Sequence, residues 1–144
     1  MTLQEFITTI KSKGALIWGP SNTRAIEFAN SNLQQKKCAM IPNQIISLYM
    51  QTAGINLGSG YMFGPTELPN GNNFPIPDIV HINQDLQNIP SLKNKTVFAR
   101  NDLFWFAFDA FGTYYMLNNI NGNVLRKYDN AYRALYDCLM GGKL

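Results

Sequence analysis

The stretch that most constrains this chain is its last third, residues 96–142. It reads as an apolar run, a second apolar run, a turn, a third run, an Asn-Gly turn, a fourth run and one amphipathic helix. The segments 96–100, 103–109, 113–117 and 124–128 are rich in aromatic and β-branched residues and are separated by turn residues, not by helices. Strands joined this closely pair antiparallel, because parallel neighbours need a crossover of a dozen or more residues. Asp109-Ala110-Phe111-Gly112 fits a type I turn with glycine where φ must be positive. A three-residue loop at 110–112 sets Phe108 opposite Tyr114 and Ala107 opposite Tyr115; a two-residue loop exchanges the two tyrosines. Asn121-Gly122 is a strong hairpin signal. Asp129 is placed to cap the last helix, whose buried stripe is Ala131, Leu135, Cys138 and Leu139 and which Gly141-Gly142 stops.

The chain upstream is mainly helical. Thr2 and Glu5 suggest a capping box for a helix over 2–13, with Leu3, Phe6, Ile7 and Ile10 on one face. Residues 15–19 read as an apolar connector. Ser21 or Thr23 is placed to cap a second helix that fades in the polar run 30–35. Ile41-Pro42 opens a third helix with Ile45, Leu48 and Tyr49 inward, ended by Gly54. A short strand is expected at 61–63, a turn-rich loop at 69–77, and a fourth helix capped by Asp78. Helices first and strands late argue for an α+β fold: a twisted antiparallel sheet with N-terminal helices on one face and a C-terminal helix. At 144 residues, 46% apolar and 15% charged, the expectation is one globular domain over 1–144.

Chemistry is sparse. The two cysteines, Cys38 and Cys138, show no CxxC spacing, and His81 is the one histidine. These are too few ligands for a zinc site, so no metal and no cofactor is expected. Asp78, His81 and Asp85 share adjoining faces of the fourth helix, which fits a surface histidine between two ordinary helix carboxylates. Gly58-Ser59-Gly60 precedes a strand and lacks a following lysine, so it is no P-loop. No serine or cysteine has a histidine and an orienting acid in a recognisable motif, so no catalytic residue is assigned. The net charge of +3 is small, and the basic pairs Lys36-Lys37 and Arg126-Lys127 read as solvated positions. Without a basic groove, nucleic-acid binding is not expected. No leader or membrane-spanning run is evident, so the expected location is cytoplasmic.

One strand stands out. Along 103–109, Phe104, Phe106 and Phe108 point one way and Leu103, Trp105 and Ala107 the other. A half-buried antiparallel strand alternates apolar with polar, and this one does not. Either both of its faces are covered, or one is an apolar partner surface. On the second reading Trp105, Leu103, Tyr115 and Asp109 are the candidate partner-binding residues. Asp109 also has the simpler role of bonding its own turn.

Several segments resemble the SUKH superfamily, which holds fungal Smi/Knr-type cell-wall glucan-synthesis regulators and many bacterial toxin-immunity proteins. Ile26-Glu27-Phe28-Ala29 looks like the family's acidic helix. Ile41-Pro42-Asn43-Gln44-Ile45-Ile46-Ser47-Leu48-Tyr49 looks like its Leu-Pro step and following helix, and Ala53-Gly54-Ile55 takes the place of its Asn-Gly element. Phe106-Ala107-Phe108-Asp109-Ala110-Phe111-Gly112 looks like its Phe-Asp-x-x-Gly hairpin, and Gly122-Asn123-Val124 with Asp129 looks like its closing unit. The likeness spans about residues 23–142. It implies a non-catalytic protein-binding module whose partner is another protein, in a bacterium a cognate toxin, with no small-molecule substrate. The alternatives are a regulatory scaffold akin to the cell-wall regulators, or an enzyme or nucleic-acid binder of another kind.

Overall fold

The computed structural model of the chain describes residues 1–86 and 88–141. Seven strands form one sheet in chain order, every neighbouring pair antiparallel: β1 (Leu16–Ile17), β2 (Ile55–Leu57), β3 (Gly60–Met62), β4 (Thr96–Arg100), β5 (Phe104–Phe108), β6 (Tyr114–Asn118) and β7 (Val124–Tyr128). The helices are α1 (Leu3–Ser12), α2 (Thr23–Gln35), α3 (Asn43–Tyr49), α4 (Ile79–Leu86) and α5 (Ala131–Leu139), with a 3-10 turn at Pro90–Leu92. The chain is thus α+β, as the order of its elements predicts. Among the described residues no helix is long and apolar enough to cross a membrane.

The inner face of the sheet carries the main core. Phe98, Phe106, Phe108, Tyr114 and Met116 pack beneath α5 and α1. Phe98 meets the ring of Phe108 at 5.6 Å and that of Tyr114 edge-on at 5.9 Å. Helix α5 lies across β3 to β7 and receives α1 on its outer side, where Phe6 stacks on Tyr132 at 6.0 Å. Polar groups pin these layers. The Tyr132 hydroxyl donates to the Gln44 carbonyl, the Gln44 side chain accepts from the Ala131 amide, and the buried Tyr49 hydroxyl donates to the Phe63 carbonyl at 2.6 Å. Buried polar groups without such partners cost about 1–3 kcal/mol each.

The apolar character of both faces of β5 has a structural cause. Val97, Ala107 and Leu117 form a second, smaller core on the outer face, covered by Leu92 and flanked by Ile82, Leu86 and Ile89. Helix α4 and the 3-10 turn supply this cover. β3 pairs with β4 only at Tyr61↔Arg100 and Met62↔Ala99. Beyond that point Asn83 of α4 takes over. Its side-chain oxygen accepts from the Val97 amide at 2.7 Å and its nitrogen donates to the Val97 carbonyl at 2.8 Å, so one carboxamide continues the ladder where the strand stops.

Several local expectations need correction. The connector at 15–19 contains the edge strand β1, and 55–57 is a strand of its own. Asn22 caps α2, not Ser21 or Thr23, by accepting from the Ala25 amide. The helix persists through its polar run because Leu33 there is fully buried. Asn130 caps α5, not Asp129, by accepting from the Arg133 amide. Asn121-Gly122 closes a longer loop: the Gly122 amide donates to the Asn118 carbonyl, and the Asn118 amide to the Asn123 carbonyl. Gly142, expected to help stop α5, lies outside the described residues.

Candidate functional site

The β5–β6 hairpin has the three-residue loop, with Phe108 opposite Tyr114 and Ala107 opposite Tyr115. Gly112 sits at φ +85°, which lets the loop return to Thr113. Asp109 organises the turn. Its Oδ1 accepts from the Phe111 amide at 2.8 Å and the Thr113 amide at 3.1 Å, and its Oδ2 accepts from the Tyr115 hydroxyl at 2.6 Å. Desolvation pushes the Asp109 carboxyl up, but the hydrogen bonds from Tyr115, Phe111 and Thr113 and the charge of Lys95 outweigh it and hold the group below its ordinary value. The same bond to Asp109, then burial, raises the Tyr115 hydroxyl. The pair therefore rests as carboxylate and neutral phenol, a fixed acceptor and donor and not a proton relay at neutral pH.

Around this pair the fold gathers lysines. The Lys95 ammonium lies 5.1 Å from the Tyr115 ring centroid and donates to the Ser91 carbonyl at 3.1 Å; the Lys127 ammonium lies 5.9 Å from the same ring. Lys127 arrives by register, since Tyr115 pairs with it across β6 and β7. Lys36 and Lys37 come from the end of α2, Lys93 and Lys95 from the residues before β4. A buried bond from the Thr96 hydroxyl to the Ala39 carbonyl, 2.6 Å, ties these two segments together. The result is an open depression of about 510 Å³ lined by Lys37, Lys93, Lys95, Asp109, Phe111 and Tyr115. It adjoins a second of about 240 Å³ that reaches Lys36, Asn83 and Leu92. Five of the chain's eight lysines thus converge, with Asp109 the one carboxylate among the residues lining the two depressions. Charge that is dispersed along the sequence is concentrated in space.

The backbone is strained here as well. Lys37 and Asn94 both line the groove, and they are the non-glycine residues with positive φ, +60° and +66°, among those described. Lys37 follows the Lys36 cap of α2, and the Cys38 amide closes on the Leu33 carbonyl, a helix ending in which glycine is the usual left-handed residue.

The hairpin brings Asp109 and Tyr115 together and leaves Trp105 and Leu103 at the other end of β5. Trp105 pairs with Leu117 and is half-buried, lining a recess of about 220 Å³ with Ile82, Asp85, Leu86 and Arg100. Leu103 precedes the strand and is 61% exposed. On α4, Asp78 accepts from the His81 amide at 2.9 Å, and its other oxygen lies 2.7 Å from His81 Nδ1. Among the described residues no three His, Cys, Asp or Glu side chains converge as a metal site. Cys138 is fully buried, and that burial pushes its thiol far up. The lysine groove is the feature that sequence reasoning missed. The available signal was the pair Lys36-Lys37 and the Lys93-Asn94-Lys95 triplet, each at the edge of an expected element; only the tertiary fold joins them.

No family model matches the chain, and no curated protein matches it.

Proposed function

We propose that this chain is a non-catalytic protein-binding module of the SUKH type, acting as an immunity protein that occludes a partner toxin. The observation that carries the reading is the outer side of the β5–β6 hairpin. It offers apolar side chains to solvent at its tip and at the opposite end: Phe111 is 92% exposed, Leu103 61%, and Ile120 of the next loop 86%. Exposed aromatic and aliphatic anchors beside charged groups are the ingredients of protein interfaces. The motif likeness to SUKH proteins supplies the class of partner.

The test is coexpression with the products of the genes neighbouring its own, followed by size-exclusion chromatography. A stoichiometric complex that silences the partner's toxicity is the expected result. Turnover of a small substrate by the isolated chain, with no complex formed, would overturn the reading. Trp105→Ala refines it: if the half-buried indole reaches the partner, binding falls while the urea midpoint holds. Unfolding of that variant assigns Trp105 to the outer core instead.

A further inference from the structure

We infer that the lysine groove docks an acidic segment of the protein partner, with Lys37, Lys93 and Lys95 facing its carboxylates and Phe111 at the rim holding an apolar side chain between them. This rests on the protein-binding reading above and adds to it the chemistry of the partner.

Three observations carry it. The first is charge. Like charges drawn into one concave site repel, and a depression in which one sign predominates focuses its field on whatever enters. The acid nearest these lysines, Asp109, already accepts three hydrogen bonds, and two of them come from its own turn. Among the described residues Lys37, Lys93 and Lys95 make no ion pair with a carboxylate, whereas Arg126 is paired with Asp137. The second is conformation. A non-glycine residue in the left-handed region costs about 1–2 kcal/mol, yet Lys37 occupies a helix end where glycine costs nothing. Backbone strain kept in this way marks a side chain used for something other than stability. The third is shape. A strand-tracking nucleic-acid site needs free aromatic faces on which bases stack. The Tyr115 ring here has the ammonium groups of Lys95 and Lys127 over it, which leaves Phe111 as the single free aromatic face among the residues lining the groove, where a tracked strand needs stacking platforms for successive bases. An acidic peptide with an apolar residue satisfies both the cations and the exposed Phe111.

Fluorescence anisotropy decides the matter with three labelled probes: a peptide of alternating Glu and Leu, its Gln and Leu counterpart, and an oligothymidylate of equal charge. The expected result is salt-sensitive binding of the acidic peptide alone. Lys93→Glu with Lys95→Glu should weaken it by on the order of tenfold or more. Phe111→Ser, at a side chain 92% exposed, should weaken it severalfold, and circular dichroism confirms that both variants are folded. Lys11→Glu with Lys13→Glu, at the end of α1, makes the same change of net charge and should leave binding within about twofold. An equal loss in that control, tighter binding of the oligothymidylate, or no binding of the acidic peptide each overturns the assignment. The two proposals separate cleanly. A natural partner that binds the Lys93→Glu, Lys95→Glu variant as well as the native chain removes the groove assignment and leaves the protein-binding reading. Failure of every neighbouring gene product to bind, with the acidic peptide still held, removes the immunity reading and leaves the groove.

Discussion

Asn83→Ala tests the claim that a side chain completes the sheet. Asn83 is 4% exposed, and its carboxamide makes three short bonds: to the Val97 amide, the Val97 carbonyl and the Ile79 carbonyl, at 2.7, 2.8 and 2.7 Å. Alanine removes all three. The Ile79 carbonyl belongs to a helix, so the groups truly orphaned are the amide and carbonyl of Val97, a residue 1% exposed. Each orphan costs about 1–3 kcal/mol. Water can approach from the adjoining depression, which Asn83 lines, so the lower half of the range applies and the expected loss is about 2–4 kcal/mol. With a urea slope of about 2 kcal/mol/M, the midpoint falls by about 1–2 M. Asn83→Asp sharpens the test. It keeps the acceptor for the Val97 amide but sets a carboxylate against the Val97 carbonyl. Burial and that carbonyl raise the folded pKa of the introduced carboxyl above its unfolded value, so the variant should regain stability as pH falls. Gln35→Ala, on the exposed side of α2, should move the midpoint little. A shift below about 0.3 M for Asn83→Ala, with unchanged slope, would refute the reasoning.

Further outcomes follow from the same geometry. Lys37→Gly relieves the left-handed strain at the end of α2 and should stabilise the fold by about 1 kcal/mol in chemical denaturation while weakening acidic-peptide binding. Asp109 should titrate below the ordinary aspartate range by NMR, and Tyr115→Phe should move that titration upward. Because the folded value is the lower one, its stabilising contribution is present above the unfolded aspartate pKa and disappears as pH drops through the folded value; acid unfolding of Tyr115→Phe should therefore begin at higher pH. Gly64→Ala places a Cβ 1.8 Å from the Ala53 carbonyl oxygen, so the backbone must part there. Little soluble folded protein is expected, and a native-like melting curve would contradict the packing described.

Legibility in the sequence followed locality. β4 and β7 match their apolar runs residue for residue, and β5 and β6 differ by a residue or so at their ends, because each run and its turn signals lie side by side. The Asp109 turn is legible for the same reason, whereas the sequence leaves a two- or three-residue loop open and the structure decides that Ala107 faces Tyr115. β1 and β2, of two and three residues, are too short to show a period of two. In α2 one buried Leu33 outweighs a polar run, a tertiary effect that no local pattern carries. The bond between Asn83 and Val97 crosses fourteen positions, and the lysine groove unites α2, the 3-10 turn and β7. The first depends on where β3 stops and the second on the bond from Thr96 to Ala39, neither of which propensity encodes.

A sheet whose strands follow one another in chain order carries a consequence for how the molecule is made. Each strand pairs with the one before it, so hydrogen-bonded neighbours are joined by short loops, apart from the links that carry helices. Low separation between partners speeds folding. The contact of α1 with α5 is the contrary case, joining opposite ends of the polypeptide. During translation the ribbon can therefore grow one hairpin at a time while its aromatic underside stays bare. That underside is sealed when α5 packs on it and Tyr132 meets Phe6, so an intermediate lacking α5 exposes the aromatic surface that makes partly folded chains prone to associate.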